Sequence, residues 1–374
     1  MHTGGVNKLN RSEMLSLALD NVNRAFGAGT VVKMGDAPRM DIETIPTGNV
    51  KIDLALKIGG LPKGRIIEIF GREASGKTTV ALQVVAAVQR AGGFAIYIDT
   101  EYAFNPAYAE KIGVDINELY ISQPNDGEEA FEVCETAVRS GAIDVVVIDS
   151  VSALVPRAEI EGSYEDCPAG LHARLMSQGL RKLNAILSQS GCTLVFVNQM
   201  RYDIRNGKEI STGGRALKYY SSIRLKVGRV ENIVSNNMVV GSRIAINVVK
   251  NKVAPPGGEC TLDLVFGMGI SCEKDMLEVA LEKKYLQRSG KYYFYQGDRI
   301  GTNVAEAIQY LVDNPDVYEE LDELVHKGYV SRIILEPATD DDDELRMLYE
   351  EASSKGGAQD GEGKDNEGDR DFYH

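Results

Sequence analysis

The chain has 374 residues, which is enough for two or three domains of ordinary size. Its hydrophobic fraction of 43% and charged fraction of 26% are typical of globular proteins and exclude a fibrous or wholly disordered chain. The formal net charge of −14 argues against nucleic acid as a partner of the chain as a whole, because phosphate binding needs clustered Lys and Arg.

Cysteine spacing and hydropathy favour a cytoplasmic protein. The five cysteines are odd in number and form no C-x-x-C pair, so neither a zinc site nor a disulfide framework is expected. The N-terminus has no apolar segment typical of a signal peptide, and no window approaches 18 consecutive apolar residues. We therefore expect no membrane contact.

The predicted elements begin with an amphipathic helix over residues 12–26, where Leu15, Leu19, Val22 and Phe26 recur at helical spacing. From residue 64 onward, short apolar runs alternate with stretches of helix-forming composition. The runs predicted as strands cover residues 66–70, 94–99, 119–122, 145–149 and 193–198, and the helices between them include residues 79–90 and 128–140. Continuous apolar runs of this length indicate strands buried on both faces of a parallel sheet, so we predict an α/β fold.

The pattern changes after residue 220. Strands at 223–227, 243–249 and 261–266, separated by Gly, Asn and Pro, are interpreted as antiparallel strands that extend the same sheet. Residues 273–336 are then predicted to form a small α+β unit that includes an aromatic strand at Tyr292–Tyr295.

The last segment, residues 337–374, differs in composition from everything before it. It holds 13 acidic and 4 basic side chains, a net charge of −9, with Gly and Ser scattered through its second half. Such a segment cannot bury enough apolar surface to order itself, so we predict a disordered acidic tail. Only −5 of the net charge then belongs to the rest of the chain.

A phosphate-binding loop is predicted between the strand that ends at Phe70 and the helix that follows. The segment from Gly71 to Thr78 matches G-x-x-x-x-G-K-[ST], in which backbone N–H groups surround a phosphate, Lys77 reaches the β- and γ-phosphates and the threonine ligates Mg²⁺. A glycine-rich turn that only resembles the motif is the alternative. The residues expected to contact nucleotide are Gly71, Arg72, Glu73, Ala74, Ser75, Gly76, Lys77, Thr78 and Thr79.

Three polar residues lie at strand ends, where ligands of open α/β sheets bind. Asp149 ends the run at 145–149 and is expected to hold Mg²⁺, directly or through a water molecule. Glu101 follows the run at 94–99 and is the candidate base that activates the attacking water. Gln199 ends the strand that starts at residue 193 and is the candidate sensor of the γ-phosphate. A solvated strand end or a helix cap is the alternative interpretation of these side chains.

A basic segment changes the interpretation of the net charge. Residues 201–229 carry eight basic and two acidic side chains, a local charge of +6. The segment includes Gly213 and Gly214, which would allow backbone N–H groups to approach a phosphate. Arg174 and Arg181 are seven residues apart and share one face of a predicted helix. The alternative is an ordinary basic surface strip.

Taken together, these motifs resemble those of the bacterial RecA recombinase family. The resemblance extends from about residue 12 to residue 336, and the acidic tail also fits it. The matching segments, in order, are 71–79, 98–101, 147–150, 197–199, 212–214 with 216–218, and 249–252. A generic phosphate-loop ATPase would share only the first few of them.

The resemblance implies a DNA-dependent ATPase that uses ATP and Mg²⁺, polymerises as a helical filament on single-stranded DNA and exchanges strands with double-stranded DNA. It implies ATP bound between subunits, with Lys77, Thr78, Glu101 and Asp149 acting from one subunit and Lys250 and Lys252 from the next. Asn105 and Tyr108 would contact adenine, and a LexA-type repressor would be a further partner. The residues implied in DNA binding are Arg174, Arg181, Arg201, Ile204, Gly213 and Gly214.

The same resemblance divides the chain into four segments. Residues 1–37 would be a helix and strand segment for oligomerisation, and residues 38–272 the ATPase and DNA-binding core with a mostly parallel sheet. Residues 273–336 would be the small C-terminal domain, and residues 337–374 the acidic tail.

Three positions depart from the family pattern, of which the two in the DNA loops concern strand exchange. The first DNA loop has Pro168-Ala169 in place of a larger residue, the second loop at 200–212 is short, and Asn105 replaces a typical Asp. These departures leave open a divergent member carried by a phage or mobile element. A helicase or recombination mediator of the same superfamily, and a non-catalytic scaffold that binds DNA in an ATP-dependent way, are the rival functions.

We expect truncation after Glu336 to strengthen binding to duplex DNA severalfold at low Mg²⁺, because a tail of charge −9 competes with DNA for the basic surface. Fluorescence anisotropy with a labelled duplex measures the effect. Unchanged binding would make the tail a solubilising appendage only.

Overall fold

The computed structural model describes residues 10–33, 42–162, 170–203 and 208–335, with side chains described except at 202–203, 208–210 and 328–335. Ile204, Pro168-Ala169 and the acidic tail lie outside the described residues. The chain divides into two units, of which the first ends at Glu43.

The first unit contains helix α1, Arg11–Phe26, as the periodicity predicts. The helix begins with a capping box, in which the Asn10 side chain accepts the backbone N–H of Glu13 and the Glu13 carboxylate accepts the N–H of Asn10. Beyond the helix, the Asn23 side chain accepts the N–H of Val31 and fixes the turn that follows.

The second unit alternates strands and helices over most of its length. Its strands are β1 Thr44–Ile45, β2 Leu61–Pro62, β3 Ile66–Gly71, β4 Ala95–Asp99, β5 Tyr120–Ser122, β6 Val145–Asp149, β7 Thr193–Asp203, β8 Lys208–Ser211, β9 Ile223–Ser235, β10 Met238–Asn251, β11 Glu259–Val265, β12 Gly269–Ile270, β13 Gln287–Ser289, β14 Tyr292–Tyr295 and β15 Asp298–Gly301. Its helices are α2 Val50–Leu56, α3 Lys77–Arg90, α4 Pro106–Ile112, α5 Gly127–Ser140, α6 Arg157–Glu161, α7 Leu171–Ser190, α8 Ala216–Tyr220, α9 Cys272–Glu282, α10 Val304–Asp313 and α11 Pro315–Leu335. No helix in the described parts of the chain is both long and apolar enough to cross a bilayer.

One large sheet organises this unit, with strand order β12-β11-β10-β9-β3-β7-β6-β4-β5 and β8 paired with β7. The central strands β9, β3, β7, β6, β4 and β5 run parallel to one another. The α/β prediction is therefore confirmed.

Alternating side chains of the central strands enter two separate cores. Val145 and Val147 pack in the core that includes α3, whereas Val146 and Ile148 pack in the core that includes α5 and α7. Because successive side chains point to opposite faces, a strand with a core on each side is expected to be apolar at nearly every position. This arrangement explains the continuous apolar runs.

Several strands differ from the predictions, and β9 and β10 both extend well beyond the predicted runs at 223–227 and 243–249. β9 was expected to be antiparallel, but it pairs in parallel with β3, since the chain returns to the amino end of the sheet through α8 before β9 begins. Among the described strands, β10, β11 and β12 continue the sheet beyond β9 in antiparallel pairs, and β8 pairs antiparallel with β7. β7 is also longer than predicted and extends to Asp203, because its second half pairs with β8 instead of ending at the sheet edge.

The C-terminal residues of the described chain form a third core. Strands β13 to β15 make a small antiparallel sheet that packs with α9, α10 and α11. The aromatic strand lies where the sequence predicts it, and α11 is a helix that the prediction missed.

One ion pair joins α11 to α2. His326 Nε2 lies 3.5 Å from the carboxylate of buried Asp53, and His326 Nδ1 donates to the backbone carbonyl of Asp322 at 2.8 Å. The hydrogen bond to Asp53 outweighs burial and raises the pKa of His326 to about 9. Burial raises the pKa of Asp53, and the histidine offsets part of that change.

We expect His326→Gln to lower the free energy of unfolding by about 1 to 3 kcal/mol below pH 6.5, with the loss disappearing as the pH rises towards 9. The folded-state pKa is above the ordinary value, so the stabilisation is complete below pH 6.5 and is lost through pH 9. Urea unfolding followed by circular dichroism at several pH values measures this.

Lys327→Gln is the matched control, because this neighbouring cation is exposed and its one ion pair among the described side chains is with exposed Glu323. Equal pH dependence in the parent and His326→Gln proteins would contradict the expectation.

Candidate nucleotide site and adjoining basic surface

The predicted phosphate loop connects the carboxyl end of β3 to the start of α3, so the free N–H groups of the helix face the loop. Gly76 is the N-cap of α3 with φ 93°, a left-handed conformation that favours glycine. A Cβ at this position would also lie 2.7 Å from Leu264 Cδ1. Conformation and space together explain the second glycine of the motif.

Two side chains of the loop fit an anionic ligand. Lys77 is only 7% exposed, and its Nζ donates to the carbonyl of Arg72 at 2.7 Å. Burial lowers the pKa of Lys77, although the carboxylates of Asp149 and Glu101 oppose that change. Ser75 Oγ is one of three buried side-chain polar atoms in the described ranges with no hydrogen-bond partner. A phosphate would supply both a partner for the hydroxyl and a counter-charge for the lysine.

The parallel register brings the strand-end residues to one edge of the sheet. Gly71 of β3 lies opposite Gln199 of β7, and Asp99 of β4 lies opposite Asp149 of β6. The loop and the predicted polar residues therefore share the carboxyl edge, as the sequence predicts.

Asp149 is the best-supported candidate metal residue among them. Its Oδ2 accepts hydrogen bonds from Thr78 Oγ1 at 2.7 Å and from the Tyr97 hydroxyl at 2.8 Å. Burial raises its pKa, and the two hydroxyl donors oppose that shift. A carboxylate beside a threonine hydroxyl is a hard oxygen set of the kind that Mg²⁺ prefers, so the residues present fit this ion.

Glu101 lies two residues beyond β4 and is exposed. Its Oε1 accepts hydrogen bonds from Ser150 Oγ at 2.5 Å and from Gln199 Nε2 at 2.9 Å. Gln199 is therefore in direct contact with the candidate base. It lies inside β7 and not at its end, contrary to the prediction, because β7 continues beyond it.

Tyr108 and Asn105 are on α4 and at its N-cap, close to the loop. Tyr108 shares a 2.7 Å hydrogen bond between its hydroxyl and Thr79 Oγ1. Asn105 Oδ1 accepts the backbone N–H of Tyr108 at 3.1 Å, so its amide group fixes the helix start.

Sequence reasoning missed the opposite wall of this site. Residues 74–79 line a cavity of about 250 Å³ together with Ser242, Leu264 and Phe266. Phe266 follows β11 and is 53% exposed. Its only sequence signal is an aromatic side chain at the end of the strand predicted at 261–266, which is too weak to assign it to a site 190 residues earlier.

The two candidate interface lysines lie together but away from the phosphate loop of their own chain. Lys250 Nζ donates to the carbonyl of Lys218 at 2.5 Å, and Lys252 Nζ donates to the carbonyl of Tyr219 at 2.9 Å. Burial and the neighbouring charge of Lys252 lower the pKa of Lys250. In the sheet register, Lys250 of β10 lies opposite Arg224 of β9, and Arg224 lies opposite Glu68 in the amino half of β3. This level is about 10 Å, measured along the strands, from the phosphate loop.

The glycine pair lies on the first half of α7. Gly213 has φ 84°, and a Cβ there would lie 2.8 Å from Val151 Cγ1. Gly214 has φ 72°, and a Cβ there would lie 3.3 Å from the Cβ of Ala173. Arg174 is exposed and follows Ala173 on the same helix, so its backbone lies next to the contact with Gly214.

The other candidate DNA residues are distributed around α7. Arg201 is exposed, and its charge, after burial, helps to lower the pKa of His172 near the start of the helix. Arg181 shares the face of Arg174 but lies about 10 Å further along the axis. Ile204 lies outside the described residues, so its role remains a sequence prediction.

A buried polar network fixes the segment that precedes the glycine pair. Glu68 is fully buried in β3, and its carboxylate accepts Asn198 Nδ2 at 2.9 Å and also Arg224 Nε. Asn198 Nδ2 donates a second hydrogen bond to the Thr212 carbonyl at 3.0 Å, and its Oδ1 accepts the Thr212 hydroxyl. These contacts connect β9, β3 and β7 to the segment before Gly213.

An open, mostly parallel sheet with a glycine loop leading into a helix at its carboxyl edge defines the phosphate-loop class of nucleotide-binding proteins. Residues 13–271 match the RecA N-terminal domain, and residues 274–330 match the RecA C-terminal domain. The chain belongs to the RecA family.

Curated relatives agree with this assignment over most of their length. The RecA protein of Frankia alni is 50% identical over 320 residues, which cover 85% of this chain and 92% of the relative. The RecA protein of Rhodococcus jostii is 46% identical over 334 residues, covering 88% and 96%. The RecA protein of Bifidobacterium longum is 48% identical over 318 residues, covering 84% and 80%.

Proposed function

We propose that this protein is a DNA-dependent ATPase recombinase that assembles on single-stranded DNA and exchanges strands with duplex DNA. The observation that carries the proposal is the position of Gln199. Its side chain donates to Glu101 beside the nucleotide loop, and its backbone carbonyl accepts the N–H of Thr212 at 3.2 Å, next to the glycine pair. Two hydrogen bonds through Gln199 thus connect the nucleotide site to the candidate DNA segment.

Nucleotide binding rests on the phosphate loop. Backbone N–H groups at the start of α3 and the Ser75 hydroxyl surround the phosphates, and Lys77 moves its ammonium from the Arg72 carbonyl to the phosphate oxygens. Tyr108 stacks on the base, and Phe266 forms an apolar wall of the same cavity. Thr78 and Asp149 would hold Mg²⁺, which would neutralise phosphate charge when bound.

Hydrolysis depends on Glu101 as the base that orients and deprotonates the attacking water. Ser150 and Gln199 hold its carboxylate through the hydrogen bonds at 2.5 and 2.9 Å, so the base is oriented before substrate arrives. Gln199 responds to the γ-phosphate by exchanging its bond to Glu101 for one to the phosphate, and the exchange alters the Thr212 segment.

DNA binding uses the surface at the start of α7. Gly213 and Gly214 present backbone N–H groups to the phosphodiester backbone, and Arg174, Arg181 and Arg201 supply charge. These contacts go to the DNA backbone and not to base edges, as a protein that must accept any sequence requires. Ile204 is proposed to wedge between bases.

Assembly completes the nucleotide site from two chains. Lys250 and Lys252 lie about 10 Å along the sheet from the loop of their own chain, a placement that supports action on the γ-phosphate of a neighbouring chain. A head-to-tail interface of this type repeats without closing and produces a helical filament.

We propose the same division of the chain as the sequence suggests. Residues 1–37 serve oligomerisation, residues 38–272 carry the ATPase and DNA sites, residues 273–336 form the C-terminal domain and residues 337–374 the acidic tail. The family match changes from one domain to the other between residues 271 and 274, which supports the second boundary. A LexA-type repressor, whose self-cleavage the filament promotes, is a proposed partner on the strength of the family alone.

We expect Glu101→Gln to lower the rate of DNA-stimulated ATP hydrolysis by about a hundredfold or more, because the amide keeps the hydrogen bonds of the site but cannot accept a proton. DNA binding in the presence of ATP should persist. Phosphate release and anisotropy with labelled single-stranded DNA measure the two properties.

Glu110→Gln, an exposed carboxylate on α4, is the matched control and should retain the parent rate. Hydrolysis by Glu101→Gln at the parent rate would remove Glu101 from its role as the base.

A mixing experiment tests whether the lysines act across subunits. We expect the Lys250→Ala/Lys252→Ala variant and the Glu101→Gln variant each to be inactive alone. An equimolar mixture should recover about a quarter of the parent ATPase rate, because that share of random interfaces combines an intact Glu101 with intact lysines from the next chain. No recovery in co-assembled filaments would place the lysines and the base in the same subunit's site.

A further inference from the structure

The Asp149 carboxylate is held by two hydroxyl groups that come from different elements. Thr78 on α3 donates to Oδ2 at 2.7 Å and belongs to the phosphate-loop motif. Tyr97 on β4 donates to the same oxygen at 2.8 Å and belongs to no motif of the nucleotide site. The second contact has no explanation in the chemistry described above.

The sheet register aims Tyr97 at this carboxylate. Tyr97 lies opposite Val147, and Asp99 lies opposite Asp149. Because every second side chain of a strand points to the same face, these four side chains share one face of the sheet. The ring is 2% exposed and packs against Phe104 with centroids 5.2 Å apart. Because the ring is enclosed, its hydroxyl is a fixed donor to Asp149.

The two hydroxyl groups bind the same carboxylate oxygen of Asp149. In the described part of the chain both hydroxyl donors use Oδ2, and no hydrogen bond is made to Oδ1. An orientation in which Oδ2 faces Thr78 and Tyr97 directs Oδ1 away from both donors. A carboxylate fixed in this way presents one oxygen in a constant direction, as outer ligands of a metal site require.

We propose that Tyr97 is a positioning residue that fixes the Asp149 carboxylate for Mg²⁺-dependent nucleotide binding. The inference rests on the proposed function, since it assumes that Asp149 serves the ion. Tyr97 touches neither ion nor nucleotide. Its effect passes entirely through the hydrogen bond to Oδ2.

Tyr97→Phe tests the inference because it removes one hydroxyl and keeps the ring that packs on Phe104. Binding of a fluorescent ATP analogue is measured as Mg²⁺ is varied. We expect the Mg²⁺ concentration for half-maximal binding to rise about tenfold, as is typical when a partner of a metal-site residue is lost. Binding of the analogue in EDTA should be unchanged, and saturating Mg²⁺ should restore the parent signal.

Tyr102→Phe is the matched control. Its hydroxyl donates to the Pro124 carbonyl at 2.7 Å, so its removal should leave the Mg²⁺ requirement unchanged. A Tyr97→Phe protein with a lower melting temperature but the parent Mg²⁺ requirement would assign the tyrosine a structural role only and overturn the inference.

Asp149→Asn separates failure of the inference from failure of the proposed function. If Asp149→Asn raises the Mg²⁺ requirement and Tyr97→Phe does not, the positioning role is wrong and the metal role of Asp149 stands. If neither variant changes it, the metal role is itself wrong. In the Asp149→Asn background, Tyr97→Phe should add less than about twofold, since the oxygen that it positions no longer carries the charge.

Discussion

The candidate site depends on the register between four parallel strands. Gly71, Asp99, Asp149 and Gln199 come from segments up to 128 residues apart, and the hydrogen-bond ladders of β3, β4, β6 and β7 bring them to the same edge of the sheet. Asp99 and Asp149 are level with Val197, two residues before the level of Gly71 and Gln199. A slip of one residue in any strand would turn its terminal side chain to the opposite face. Cores on both faces prevent such a slip, so packing far from the site determines its geometry.

The sequence predicts the parts of this arrangement that local rules determine. Continuous apolar runs predict the central strands. A glycine motif between a predicted strand and a predicted helix indicates the phosphate loop. The position of Asp149 at a strand end gives its place beside that loop. The family resemblance adds the distant residues, of which Lys250 and Lys252 would otherwise be interpreted as solvated edge lysines.

The remaining features depend on tertiary approach and have no local signal. β9 runs parallel to β3 because of the path through α8, which its apolar alternation does not encode. Phe266 follows a strand in the antiparallel part of the sheet and lines the cavity of the phosphate loop, a contact that no local pattern predicts. In the sequence, Tyr97 is indistinguishable from any other aromatic residue of a buried strand. The contact between Gln199 and Glu101 requires that the segment after β4 approach the middle of β7, which is not its neighbour in the sheet.

The network around Glu68 has a consequence for the evolution of the chain. Loss of Arg224 alone leaves a fully buried carboxylate without its opposite charge, at a cost of about 3 to 5 kcal/mol. Loss of Asn198 alone removes a neutral hydrogen bond to that carboxylate, at a cost of about 1 to 3 kcal/mol, whereas an apolar residue at all three positions removes the charge altogether. The intermediate sequences are therefore much less stable than either endpoint. We expect the residues at these three positions to vary together across the family. Such covariation would reflect the stability of the sheet.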